Sequence, residues 1–177
     1  NMDMTSTFTC GYGYIKWRNV TKEDELSASG DAYTSIDFPL FRTADAYLMA
    51  AEAILRGASG TKSEALGYVN EVRTRAYMSG KYAKNGVRSD VSGEIGANEL
   101  DLDFLLLERQ KELASELIRR TDLIRFGKYT KGNNWDWKNG VRLGEDVDDK
   151  YNLFPIPESE LTNNPTLVQN DGYKVIK

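Results

Sequence analysis

Histidine is missing from the 177 residues, cysteine occurs once, proline four times, and the formal charge is only −4. Without histidine the chain has no imidazole base, lacks the usual zinc ligand and cannot form a Ser-His-Asp arrangement, so most hydrolase chemistry is excluded. A lone cysteine, Cys10, excludes an intrachain disulfide and a thiolate metal cluster, and is neutral on compartment. The segment before it, MTSTFT, has no apolar run and no basic start, so Cys10 does not read as a lipid-anchor site. The charge balance gives no basic footprint, and nucleic acid is not an expected partner. No stretch approaches the ~20 apolar residues that cross a bilayer. The longest candidate, around Leu105-Leu106-Leu107, is flanked by charges.

What the sequence does contain is helical periodicity. PLFRTADAYLMAAEAILRG, Pro39 to Gly57, carries alanine at 44, 46, 50, 51 and 53. Tyr47, Leu48, Ala51, Ile54 and Leu55 share one face of a helix predicted from about Thr43 to Arg56 and ended by Gly57. Thr61-Lys62-Ser63-Glu64 is a capping box that starts a second helix, with Ala65, Leu66, Val69, Val72 and Ala76 on its apolar face and its end near Ser79-Gly80. So short a connection makes the helices pack as a pair, and small residues such as Ala50 and Ala53 are expected at the seam, where they let the axes approach. The pair resembles one tetratricopeptide-type repeat without its usual signature.

Gly11 to Val20 alternates like a short strand, Lys22 to Phe38 reads as a loop, and Lys81 to Ala97 as a glycine-rich excursion. Asn98 is the expected cap of one long helix, ELDLDFLLLERQKELASELIRR, striped with Leu102, Leu105, Leu106, Leu113 and Leu117. From Lys131 onward the chain is irregular and holds the other three prolines, Pro155, Pro157 and Pro165.

Glu108, Glu112 and Glu116 fall four apart on the predicted helix. Paired carboxylates across a cleft are glycosidase apparatus, but here they share one face with arginines interleaved, which favours ion pairs. Arg73, Arg75 and Arg125 are natural partners, able to staple the second helix to the long one. Asp146, Asp148 and Asp149 offer oxygen ligands without an EF-hand pattern, so a solvated acidic loop is the reading; no cofactor is implied, and calcium has no motif behind it. Trp135 and Trp137 flank Asp136, and in an extended segment both indoles face one way. They can stack on sugar rings while Asn133, Asn134 and Asp136 take hydroxyls, or seal the core. Tyr12, Tyr14 and Trp17 pose the same choice.

Taken in order, PLFRTADAYLMAAEAILRG, ALGYVNEVRTRA, LLLERQKELASELIRRTDLIRFGKY, YNLFPIPESEL and NPTLVQNDGY resemble the C-terminal conserved region of the SusD/RagB family of outer-membrane nutrient-binding lipoproteins, over nearly the whole chain. The resemblance implies a mainly α, SusD-like scaffold with a tetratricopeptide-like helix pair and long irregular loops. It implies a protein that is not an enzyme and works at the bacterial cell surface, on the outer membrane, capturing oligosaccharides such as starch for import by a SusC-like TonB-dependent transporter. An alternative is a helical interaction module docking the transporter or a peptide. Residues 1–177 would form the C-terminal region of a longer protein, with membrane association only through a lipid anchor upstream. Arg73 and Arg75 fall in the family's asparagine-x-valine-arginine-x-arginine-alanine helix; Glu108, Arg109, Glu112 and Arg119 with Asp122 match its glutamate-arginine framework. The family commonly has glycine after the glutamate matching Glu116, where this chain has Leu117. Trp135, Trp137, Trp17 and Tyr12 are the candidate ligand-binding residues.

Overall fold

The computed structural model describes residues 16–17, 19–21, 25, 34, 36–78, 92–132 and 135–174. The chain divides into two compact units, Asn1–Arg42 and Thr43–Lys177. Tyr12, Tyr14, Cys10 and most of the expected strand lie outside the described residues, as do Asn133, Asn134 and the Lys81 end of the excursion. In the first unit Trp17 stacks on Phe38, ring centroids 5.5 Å apart at 28°, and the Thr21 hydroxyl accepts from Glu25 N at 3.4 Å.

The second unit carries five α-helices among the described residues: α1 (Thr43–Leu55), α2 (Lys62–Met78), α3 (Leu102–Glu112), α4 (Arg119–Arg125) and α5 (Glu158–Asn163). No strand is present among the described residues, and no described helix is long and apolar enough to cross a membrane. The mainly α class and the helix pair are as the periodicity predicts. α1 ends in a Schellman turn, with Ala58 N donating to Ala53 O and Gly57 N to Ile54 O, both at 2.9 Å; Gly57 sits at φ 99, which an L side chain resists. The capping box forms as written: Thr61 Oγ1 accepts from Glu64 N at 3.2 Å and Glu64 Oε2 from Thr61 N at 2.6 Å.

The core lies where α1 meets α2 and α3: Ala44, Leu48, Ala51, Ala65, Val69, Val72, Leu100 and Leu105, with Tyr47, Ile54, Leu55, Leu66 and Phe104 against it. The alanine seam is narrower than the sequence suggests. Ala44 and Ala51 face Ala65 in the interior, but Ala46 and Ala53 are exposed and Ala50 is half-buried; Ala76, expected on the apolar face of α2, is also exposed. Those outward alanines serve helix propensity, not packing.

The predicted long helix is broken. Asn98 lies in a turn; the cap is Asp101, whose carboxylate accepts from Phe104 N at 2.7 Å. α3 then stops at Glu112, and residues 113–118 form a tight crossing in which Ser115 and Leu117 take φ 63 and 61. Each left-handed residue costs roughly 1–2 kcal/mol, so tertiary contacts must hold the break. Arg109 Nε donates to Asp122 at 2.8 Å and Arg119 Nη1 to the Leu106 carbonyl at 2.9 Å, folding α4 back onto α3. Leu117 stands at a left-handed position with its side chain almost wholly in water.

Candidate functional site

Arginine ion pairs tie the helices together. Arg73 Nη1 lies 2.5 Å from Glu108 and Arg75 Nη2 2.5 Å from Glu112, joining α2 to α3. Arg73 also donates through Nε to Gly93 O at 2.5 Å, and the Asn70 amide brackets Ile95 by accepting from its N–H at 2.9 Å and donating to its carbonyl at 3.1 Å. One turn-spaced set on α2 thereby grips both α3 and the chain that leads into it. Gly93 is at φ 71, and a Cβ there would fall 2.3 Å from the Tyr77 ring.

Behind them lies a second charged set, in which Asp45 and Glu52 on α1 are the members that sequence reading did not single out. Arg109, 2% exposed, sits between Asp122 at 2.8 Å and Asp45 at 2.9 Å. The Asp45 contact is within ion-pairing distance but off hydrogen-bond geometry, so its attraction is Coulombic. Arg125 grips Glu52 with two bonds, 2.8 and 2.7 Å, and Asp122 at 2.8 Å. Burial alone raises the Glu52 carboxyl pKa, but hydrogen bonds and charge from Arg125 and Arg56 outweigh it and hold the group below its ordinary value. Asp45 and Glu52 are seven apart on α1, on the flank of Leu48. That spacing beside a buried leucine is the signal that distinguishes them from solvated acids.

A different environment opens at α4. Gln110, Arg119, Arg120, Leu123, Tyr129 and Trp135 line a cleft of about 370 Å³. Tyr129 and Trp135 form its aromatic wall, centroids 6.5 Å apart and tilted by 38°. Buried Thr130 anchors the loop that carries Trp135: its carbonyl accepts from Val147 N at 3.0 Å and Lys138 Nζ at 3.1 Å, and its hydroxyl donates to Asp149 at 2.6 Å. Lys138 in turn sits 4.6 Å from the Trp135 ring centroid, a cation on the indole face.

Trp137 does not share this wall. The segment turns instead of extending: Trp137 takes φ 65 ahead of a 3-10 turn at Lys138–Gly140, and its ring is exposed outside the cleft. Trp17 belongs to the first unit, and Tyr12 lies outside the described residues. Tyr129, Gln110 and Arg120 are cleft residues that sequence reading did not single out; Tyr129 lies only six residues before Trp135, but their pairing depends on the Thr130-anchored loop.

The acids that could have served catalysis or metal binding are engaged elsewhere. Glu108 and Glu112 are in the ion pairs above, and Glu116 is buried in the α3–α4 crossing instead of continuing their helix face. Asp146 accepts from Gly132 N, Asp148 from Lys150 N and Asp149 from Thr130. Among the described residues no three acidic, cysteine or histidine groups cluster as a metal site would require.

The C-terminal motifs complete the frame. Arg120 Nη2 donates to the carbonyls of Tyr151 and Asn152 at 2.8 and 3.2 Å. Gln169 brackets Ile156 through both backbone groups, Asn170 donates to Phe154 O, and the Tyr173 hydroxyl reaches the carbonyls of Lys150 and Leu153.

Residues 3–173 match the SusD family. The chain is 39% identical, over 97% of its length, to the starch-binding protein SusD of Bacteroides thetaiotaomicron, of which it covers 28%. It is 30% identical to SusD-like protein P2 of Formosa agariphila over 84% of the chain and 28% of that protein, and 33% identical to SusD-like protein P25 of the same organism over 75% and 23%. The chain therefore spans about a quarter of the length of the curated relatives it matches.

Proposed function

The chain belongs to the SusD family, and from that premise we propose that it binds oligosaccharides at the outer-membrane surface for import by a TonB-dependent transporter. It acts by stacking and hydrogen bonding, without covalent chemistry, as the C-terminal region of a longer protein anchored upstream. The name of the Bacteroides relative, a starch-binding protein, supports the ligand class. The observation that carries a site within this chain is the Tyr129–Trp135 wall, which lines a cleft together with Gln110. Sugar rings offer apolar C–H faces to such a wall and hydroxyls to its edges. The engagement of Glu108 and Glu112 by arginines favours binding over hydrolysis.

Substituting Trp135→Ala should lower retention of the full chain on a glycan affinity gel by about tenfold, the loss of roughly one stacking contact, with the circular dichroism spectrum unaltered. Retention that does not change would remove the cleft from the binding site.

Exposed Leu143, Leu153, Phe154 and Val168 favour a second reading, a protein contact with the transporter. Co-purification with the transporter in the absence of any glycan, abolished by Leu153→Asp with Phe154→Asp, is the expected outcome; complex formation unaffected by those changes would refute it.

A further inference from the structure

Two sets of arginines stand apart among the described residues. Arg56, Arg73, Arg75, Arg109 and Arg125 each have a carboxylate within ion-pairing distance. Arg119 and Arg120, which line the Tyr129–Trp135 cleft, are bonded only to backbone carbonyls among the described residues: Leu106 O for Arg119, Tyr151 O and Asn152 O for Arg120. Among the described residues no acid lines the cleft, and Asp136, adjacent to Trp135 in sequence, is exposed outside it.

Asp122 does act on Arg119, but its two oxygens are already bonded to Arg109 and Arg125. Burial lowers the Arg119 pKa against the pull of Asp122, as expected of a cation whose counter-charge is shared. The Arg120 guanidinium is held in place, 5.0 Å from the Tyr129 centroid and 4.2 Å from that of Phe154, with its Nη2 edge fixed by two carbonyls. Among the described residues its Nε and Nη1 make no hydrogen bond, so each keeps a donor for a charge-assisted bond. A guanidinium without a carboxylate partner, immobilised next to a stacking surface, matches an oxyanion attached to a ring.

We propose that this cleft takes an anionic saccharide, whose ring stacks on Tyr129 and Trp135 while its carboxylate or sulfate group pairs with Arg119 and Arg120. This rests on the reading of the cleft as a glycan site and specifies the class of glycan.

The test is equilibrium binding of the full chain to three oligosaccharides of equal length: an oligogalacturonide, a sulfated galactan fragment and a neutral maltooligosaccharide. At least one anionic probe should bind about tenfold more tightly than the neutral one, and the difference between the two anions identifies the carboxylate or the sulfate as the preferred group. The advantage should shrink as salt is raised and disappear in Arg119→Gln/Arg120→Gln, while Arg119→Lys keeps part of it. Because Arg120 also supports the 151–154 segment, Arg119→Gln alone is run alongside and should reduce the anionic preference while the urea midpoint falls by no more than the loss of its one bond to Leu106 O. Equal binding of neutral and anionic probes, with both lost in Trp135→Ala, would overturn the anionic preference and leave the glycan site standing. Absence of binding to all three would overturn both. An anionic preference that survives the arginine substitutions in a folded protein would place the charge recognition elsewhere and overturn the assignment.

Discussion

Arginine is used in opposite ways in the α1–α4 interior and in the cleft beside it. In the interior Arg109 sits between Asp45 and Asp122, and at the edge of it the partly exposed Arg125 pairs with Glu52 and Asp122, at 2.7 to 2.9 Å. In the cleft, Arg119 and Arg120 are steadied by carbonyls and aromatic rings without a bonded carboxylate among the described residues. The first arrangement stores its charge complementarity internally and is a framework. The second leaves positive charge available to whatever enters. Removing one member of a buried pair strands a charge, whereas removing a cleft arginine takes a donor only from backbone carbonyls.

The contrast can be broken most forcefully at Arg109. Arg109→Met leaves Asp45 and Asp122 short of a buried counter-charge and should cost about 3–5 kcal/mol in urea unfolding. Arg119→Gln should lie within about 1 kcal/mol of the parent, the value of one hydrogen bond to a carbonyl. The alanine seam gives a second, smaller contrast on a single helix. Ala51→Leu overpacks the α1–α2 interface and should destabilise by about 1–3 kcal/mol, while Ala53→Leu, on the exposed side, should change stability by less than ~0.5 kcal/mol. Equal effects at the two positions would mean that the seam is not where the helices touch.

Acid titration distinguishes the two regions again. The Glu52 carboxyl is held below its ordinary value in the folded state, so the stability it contributes is present above the unfolded pKa and is lost as pH falls through the folded one. Unfolding free energy should therefore drop on acidification below about pH 4.5, and Glu52→Gln should flatten that slope. A slope identical in the variant would show that other carboxylates dominate it. The smallest effect is expected at the α3–α4 crossing: Leu117→Gly relieves a left-handed leucine that buries little, offset by glycine's chain entropy, for a net gain of about 0.5 kcal/mol. A clear loss of stability would show that the leucine side chain contributes contacts not evident from its exposure.

Legibility in the sequence follows the same division. α1 and α2 could be read because Leu48, Ala51, Val69 and Val72 recur at helical spacing and the Thr61/Glu64 box and Gly57 mark ends by local chemistry. The break between α3 and α4 could not. Ser115 and Leu117 carry no preference for the left-handed region, and the contacts that impose it, Arg109 with Asp122 and Arg119 with Leu106 O, span thirteen residues in the chain. Extending one helix from Asn98 therefore overran both its cap at Asp101 and its end at Glu112. Asp45 and Glu52 were passed over for a related reason: on a helix an acid reads as solvent-facing until its partner's position is known. In the cleft, Trp135 was legible as a large aromatic in a polar loop, but its pairing with Tyr129 and the separation of Trp137 depend on the turn at φ 65 and on the Thr130 anchor, neither of which has a local signature.

The division of labour among the arginines is tested most directly by measuring urea midpoint and saccharide retention side by side for Arg109→Met and Arg119→Gln. Arg109→Met should lower the midpoint substantially. Arg119→Gln should stay close to the parent midpoint and lose retention of a carboxylated or sulfated oligosaccharide. A chain that unfolds as readily without the Arg119 charge as without that of Arg109, or that retains such ligands undiminished after Arg119→Gln, would contradict the assignment of one group to the fold and the other to the ligand.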